Sequence, residues 1–399
     1  MFGRKREVFA DNASGSPINL RVRGEMRPWL DASWNPSAIH PRGLQARRAI
    51  EEARKSIATL LYAHADEITF TASGTESLHL ALHSVLNAHK GSEVPHVITT
   101  PIEHHALLEQ LHTLAKEGKI TLDFMTLLQS GVVDPASLKS LLRPSTALVA
   151  VMYANNEIGT IQPIRDIAKI VRDYKKIHRT STPYVLTDAC QAFSSLDVHM
   201  ERLGVDYLVL NGAKVSGPQG SALLFTRRGA PLVPILLGGG QESGHRAGTE
   251  NVAGIIGLGK ALELAQDGRV QYEKYVSALR NELEKKILTT FPDAHINGTA
   301  DRLPGHLNIT FPGVDHQYLA LALGEAGIMI GTKSACREND DGDSHVLQAL
   351  REAGDGVNLP AQGIRISLGL NTTSSDISMI YRVLQKVIPL AQKSRTIIA

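Results

Sequence analysis

The sequence predicts an α/β protein built on a mostly parallel sheet, followed by a smaller α+β region. Three observations carry this expectation. Between residues 42 and 230, β-prone apolar runs and amphipathic helical runs alternate in strict succession, the pattern of a parallel sheet covered on both faces. After Gly238-Gly239-Gly240 the alternation gives way to long helices with short strands between them. The chain has 399 residues, 43% of them hydrophobic, enough for two domains with a sizeable core.

Residues 1–40 carry turn-formers (DNASGSP, WNPSAIHPRG) and read as irregular. Arg42 to Ala63 reads as a long amphipathic helix, Glu67 to Thr71 as a strand and Gly74 to Lys90 as a helix. A short strand at Val97 to Thr100 precedes a helix from Glu103 to Glu117, and a strand at Ile120 to Leu127 precedes a helix at Asp134 to Leu142 with aspartate at its start. Leu148 to Tyr153 is a strongly apolar strand, Ile164 to His178 a helix, and Tyr184 to Thr187 a strand leading to Asp188. Tyr207 to Leu210 is a strand, and Gly217-Pro218 turns the chain before another at Ser221 to Phe225. Beyond the glycine run, Asn251 to Asp267 and Gln271 to Phe291 read as two long helices, with Pro292 as the stop. Strands at Leu307 to Phe311, Ile328 to Ile330 and Ile364 to Leu368 alternate with helices at Gln317 to Ala326, Ser344 to Ala353 and Ser375 to Lys393. The domain boundary is expected near residue 265, with residues 20–265 forming a large α/β domain and residues 1–19 and 266–399 a small α+β one.

Composition excludes several classes. The formal net charge is +2, with no basic face or polybasic tail, so nucleic acid is not expected as a partner. No apolar run reaches about 18 residues, so no membrane span is expected. The first residues have a basic cluster but no apolar signal core behind it. The two cysteines, Cys190 and Cys336, exclude a disulfide framework and a multi-cysteine zinc site, and they fit a reducing cytoplasm. No metal site is expected.

In an open parallel sheet, ligands bind beyond the carboxyl ends of the strands. Five strand ends here carry polar or glycine-rich sequence: SGTES, EHH, NNE, DACQ and NGAK. Lys214, after a buried strand and among small residues, is expected to be partly desolvated. Its amine is then easier to deprotonate and can form a Schiff base; taken alone, the stretch reads rather as a surface lysine in a strand-to-strand turn. Ser73-Gly74-Thr75 opens a helix and offers a phosphate cradle, or an ordinary N-cap. Asp188 ends a buried strand and needs a cationic partner, unless it caps a loop. His104 is an aromatic plate or a capping histidine; His105 has no such claim. Asn156 and Gln191 offer amides that could reach a ring hydroxyl. Cradle, plate, carboxylate and lysine together describe a pyridoxal phosphate site. Arg365, inside the apolar strand GIRISLG, needs a buried anion. Cys336 sits in a polar loop without an apolar anchor. Lys333 and Arg337 favour its thiolate, and the acidic run after it opposes that. Cys190 reads as a small buried side chain.

At these residues the chain resembles the cysteine desulfurases (NifS/IscS-like) of the class V aminotransferase superfamily, over nearly its whole length. FADNASGSP, ITFTASGTES, VITTPIEHHALLE, YANNEIGTIQPI, TDACQA, NGAKVSGPQG, GGGQESGHRAGTEN, GTKSAC and GIRISLGLNTT carry the resemblance. It implies a fold-type I pyridoxal 5′-phosphate-dependent transferase and a homodimer with active sites near the subunit interface. The implied activity removes sulfur from L-cysteine, giving L-alanine and a persulfide on Cys336 for transfer to an acceptor protein such as an iron–sulfur scaffold. By the same resemblance, Lys214 would hold the cofactor covalently and His104 would stack on its ring. Asp188 would pair with the ring nitrogen, and Gln191 and Asn156 would contact its hydroxyl side. Gly74 and Thr75 would hold the phosphate, with Thr249 reaching it from the other subunit, and Asn211 would also lie at the cofactor. Arg365, with Asn156, would bind the substrate carboxylate.

The chain departs from the family pattern in places. Ala213 stands where the family usually has histidine, and Asn211 where it has serine or threonine. One phosphate contact is thereby missing, roughly 1.5–3 kcal/mol for a charge-assisted hydrogen bond, and Asn211 or Ser216 would have to supply it. Ser243, Ala247 and Leu370 also depart from the pattern. The alternatives are a selenocysteine lyase, a related cysteine or cystine lyase, or a catalytically impaired sulfur-transfer scaffold.

Overall fold

The computed structural model describes residues 6–31, 33–91, 93–333, 342–354 and 360–398, with side chains as far as residue 392. The chain opens with β1 (Val8–Phe9), α1 (Leu20–Leu30) and α2 (Pro41–Leu61). The alternating region follows as β2 (Ile68–Thr71), α3 (Gly74–Ala88), β3 (His96–Thr99), α4 (His105–Lys116), β4 (Thr121–Phe124), α5 (Pro135–Leu141) and β5 (Thr146–Ala150). It continues through α6 (Ile164–His178), β6 (Tyr184–Asp188), α7 (Met200–Leu203), β7 (Tyr207–Asn211) and β8 (Ala222–Thr226). The rest comprises α8 (Val252–Thr290), β9 (His295–Ile296), β10 (His306–Thr310), α9 (His316–Glu325), β11 (Ile328–Met329), α10 (His345–Glu352), β12 (Ile364–Ser367) and α11 (Ser374–Ile398).

Seven strands form the central sheet in the order β2-β8-β7-β6-β5-β3-β4. Only β8 runs against its neighbours, because a tight turn after Lys214 returns the chain beside β7. The other six strands are therefore mutually parallel, and the carboxyl ends of β2, β3, β5, β6 and β7 share one edge of the sheet. Burial on both faces explains the apolar runs. Along β7, Leu208 and Leu210 face one cluster with α2, α6 and the first part of α8, whereas Tyr207 and Val209 face another with α3 and α4. A three-stranded antiparallel sheet (β12-β10-β9) and the β1–β11 pair belong to a separate apolar cluster with α9, α11 and the second part of α8.

Two expectations are corrected. The segment read as irregular contains α1, capped by Asn19, whose side chain accepts the Arg21 N–H at 2.9 Å. Gly24, Pro28 and many charged residues mask it in the sequence, and packing on α8 forms it. The helices meet closely at Gly257, where a Cβ would come within 2.6 Å of Met26 Sδ. The two helices expected at 251–291 are one 39-residue helix, about 60 Å long. Gly268 costs about 1 kcal/mol against alanine but does not break the helix as proline would, and both apolar clusters hold it, through Val252–Leu262 and Val276–Ile287.

Candidate active site

A cavity of about 190 Å³ opens at the shared strand edge. Gly74 and Thr75 reach it from the start of α3, His104 from the N-cap of α4, and Asn156 from the segment after β5. Asp188 and Gln191 come from the end of β6 and the turn beyond it, Asn211 and Lys214 from the end of β7, and Arg365 from β12. Nine of the residues singled out from the sequence thus line one space. Thr249 is exposed and lies outside this lining. Cys336 and the loop 334–341 lie outside the described residues; its neck does not, since Lys333 Nζ donates to Gly342 O at 2.8 Å. Lys333, expected to favour a thiolate, is itself buried.

Lys214 sits in a short 3₁₀ turn, Gly212–Lys214, whose entry is fixed by Asn211 Oδ1 accepting the Ala213 N–H at 3.1 Å. Its Nζ donates to Ala13 O at 2.8 Å and Ser14 O at 2.7 Å. Burial lowers its pKa and Arg365 adds to this, against Cys190, Asp188 and Asp11. Desolvation without full charge compensation eases loss of the proton.

His104 is the capping histidine that one of its sequence readings expects, and it also lines the cavity. Its Nδ1 accepts the Ala106 N–H at 3.1 Å. An accepting Nδ1 requires the Nε2–H tautomer in the neutral ring. Burial lowers the pKa, assisted by Lys214 and His345 and opposed by Asp188, which favours the uncharged ring. Ser73 likewise caps α3 by accepting the Glu76 N–H at 3.1 Å. The Gly74 and Thr75 amides, in the first turn, have no intrahelical acceptor, and both residues line the cavity. A Cβ on Gly74 would lie 3.2 Å from Cys190 Sγ and 3.8 Å from Asn211 Nδ2, so that side chain reaches the same end of the cavity. Ser216 instead lines an adjoining cavity of about 540 Å³, which shares Ala13, Gln191 and Lys214 with the first.

Asp188 Oδ1 accepts the Cys190 N–H at 2.9 Å, which aims the carboxylate across the strand end. Cys190 packs, as expected, but it also lines the cavity. Arg365 is 1% exposed, and the anion it meets is the half-buried Asp11, with Nη2 to Oδ1 at 2.6 Å. Asp11 is not recognisable in the sequence as a site residue, although an arginine within an apolar strand is the signal to search for its partner. Glu103 is a second residue that sequence reasoning misses. Wholly buried, it accepts from Thr100 Oγ1 at 2.7 Å and Met152 N at 2.8 Å through the same oxygen, and burial pushes its pKa up to about 8. His105, given no role, stacks at a tilt on His345 with ring centres 4.2 Å apart. Among the described residues there is no cluster of three or more His, Cys, Asp or Glu able to hold a metal ion, and no helix long and apolar enough to cross a membrane.

This arrangement, a desolvated amine facing a carboxylate and a neutral imidazole beside a helix N-terminus, belongs to an enzyme class that comparison identifies. Residues 8–380 match the aminotransferase class-V family, and the chain belongs to it. Within that family it is 40% identical over 395 residues to a protein of Dictyoglomus turgidum named cysteine desulfurase IscS, covering 98% of this chain and 96% of that one. A solved NifS-like protein superposes with a TM-score of 0.87 at 33% identity, covering 96% of this chain and all of the other. A third relative, solved as SspA in complex with cysteine, has a TM-score of 0.77 and 31% identity over 92% of this chain and all of its own.

Proposed function

We propose that the chain is a pyridoxal 5′-phosphate-dependent cysteine desulfurase, acting on L-cysteine to give L-alanine and a persulfide on Cys336. The observation that carries this reading is the meeting of Lys214, Asp188, His104 and Arg365, from four separate elements, around one cavity. The residues fit the cofactor. The buried amine of Lys214 suits a covalent link to its aldehyde, and Asp188 suits a protonated ring nitrogen. The neutral ring of His104 suits a stacked face, and the Gly74–Thr75 amides with Asn211 Nδ2 suit the phosphate. Asn211 would then supply the donor that Ala213 lacks. Gln191 and Asn156 remain candidates for the ring hydroxyl. When bound, the cofactor would draw electron density from the substrate Cα and weaken the Cβ–Sγ bond.

The chain's own groups divide the remaining work. Arg365, assisted by Asn156, would grip the substrate carboxylate, and Lys214 and His104 would carry protons. The Cys336 thiolate would take the substrate sulfur and pass it to a thiol of an acceptor protein, such as an iron–sulfur scaffold. We also read the chain as a cytoplasmic homodimer. The exposed Ile235, Leu236 and Leu237 beside the 238–250 loop supply an apolar contact, and Thr249, outside its own cavity, is free to serve the other subunit. Residues 20–265 would form the cofactor-binding domain, and residues 1–19 and 266–399 the small domain with Cys336 and Arg365, the two joined through α8. The test pairs two variants. Lys214→Ala should lose the cofactor's visible absorbance, and Cys336→Ser should keep it while losing cysteine-dependent sulfide release. Sulfide release surviving in Cys336→Ser would refute the persulfide role.

A further inference from the structure

Residues 10–16 form a short strap between Lys214 and Arg365. One end is tied to β12 just past Arg365: the Ser367 N–H donates to Ala10 O at 2.7 Å, and Ser367 Oγ accepts the Ala13 N–H at 2.9 Å. The other end is tied beside Lys214, where the Ser16 N–H donates to Ala213 O at 2.8 Å. Between these anchors the strap presents acceptors to both cationic groups. Ala13 O and Ser14 O receive the Lys214 ammonium, and Asp11 Oδ1 receives Arg365 Nη2. The second oxygen of Asp11 takes the Ser14 hydroxyl, so the carboxylate is itself held in place.

Arg365 has donors to spare. Its Nη1 reaches only Asn156 O, at 3.3 Å, and its buried Nε has no partner among the described residues. A guanidinium carries five N–H donors in a rigid fork. With one amino group fixed by Asp11, the unpartnered donors keep a set direction beside the cavity they line. We propose that Asp11 is a positioning residue: it fixes the Arg365 guanidinium for the α-carboxylate of an amino-acid substrate, on the same strap whose carbonyls hold Lys214. This rests on the reading above, in which Arg365 takes that carboxylate. Pre-ordering a long side chain removes an ordering cost from each binding event, and the benefit is confined to ligands that carry a carboxylate.

The experiment titrates the cofactor-loaded protein with L-alanine and with ethylamine, the same amine without the carboxylate, following the cofactor's absorbance. Asp11→Ala should weaken L-alanine binding about ten- to hundred-fold, the loss expected when a misplaced Arg365 no longer makes its charge-assisted hydrogen bond. Ethylamine binding should stay within about two-fold. Asp11→Asn keeps an acceptor for Nη2 and should retain most of the L-alanine affinity; thermal unfolding of both variants checks that the fold survives. Equal weakening of both amines, or equal loss in the Asn and Ala variants, would overturn the positioning role. Wild-type protein that took up no cofactor, or bound L-alanine no better than ethylamine, would overturn the underlying reading of the site and this inference with it.

Discussion

Glu242 and Arg54 meet as a fork: Oε1 to Nη2 and Oε2 to Nη1, each at 2.8 Å. Both side chains are buried, and the guanidinium lies 4.6 Å from the centre of the Phe70 ring. The pair also grips β2, since Glu242 Oε2 accepts the Phe70 N–H at 2.8 Å and Arg54 Nη1 donates to Ile68 O at 2.7 Å. Glu242 and Ser243 have left-handed backbone conformations, φ 48° and 57°, which side-chain-bearing residues adopt only at a cost. The ion pair holds that turn of the 238–250 loop against the sheet.

Removing Glu242 leaves the buried Arg54 with the half-exposed Glu51 carboxylate, 3.2 Å from its Nε. Glu242→Ala should therefore cost about 3 kcal/mol, the lower end of the usual penalty for breaking a buried pair. Arg54→Met combined with Glu242→Leu should recover only part of it, because the Phe70 N–H and Ile68 O lose the partners this pair gives them. Denaturant unfolding of the single and double variants reads both effects, and a double variant no more stable than Glu242→Ala would contradict the account.

Glu103 gives a pH dependence of definite sign. Burial, with a smaller push from Asp188, raises its folded pKa from 4.5 to about 8. The folded state thus binds a proton that the unfolded state has released between those values, and stability falls as pH rises through that window. An amide in place of this carboxyl would keep an acceptor for Thr100 and Met152 and has no proton to lose. Glu103→Gln should therefore add little below about pH 4.5 and on the order of a few kcal/mol by pH 8. Unfolding free energies of both proteins across this range check the slope; a gain independent of pH would contradict it.

The fold and much of the site are legible in the sequence because strands buried on both faces read as continuous apolar runs, and their ends carry the polar exceptions. DACQ and NGAK stand out in this way from the sequence alone. Asp11 does not. Its partner is 354 residues away, and an aspartate in DNAS reads as a turn residue until the apolar strand holding Arg365 is laid beside it. The α1 helix is hidden for a similar reason, since its local composition argues against a helix and packing on α8 decides the matter. The split expected within α8 fails the other way, because it gives Gly268 more weight than a helix anchored at both ends allows.

Lys214 should show its desolvation in how the apoprotein takes up pyridoxal phosphate. The reactive form is the neutral amine, so the uptake rate against pH should rise with a midpoint below 10.5, the ordinary lysine value. Arg365 contributes to that lowering by charge repulsion, whereas Asp11 and Asp188 oppose it. Arg365→Met removes the cation and leaves both carboxylates in place, so the midpoint should move up. A midpoint that stayed put or fell would show that Arg365 does not act on the amine.

Cys190 lines the same cavity and should nonetheless resist thiol reagents. Burial raises its pKa well above the ordinary thiol value, and the Asp188 carboxylate adds to this, with Lys214 acting the other way. Only the thiolate is nucleophilic, so alkylation of Cys190 at about pH 8 should run at least ten-fold slower in the folded protein than after unfolding. Asp188→Asn removes the negative charge beside the sulfur, which should lower the thiol pKa and speed labelling, whereas Lys214→Met removes the favourable cation and should slow it further. Peptide mapping after timed alkylation reads the site directly. Labelling no faster in Asp188→Asn than in the unaltered protein would contradict the charge effect of Asp188 and leave restricted access as the protection of this sulfur.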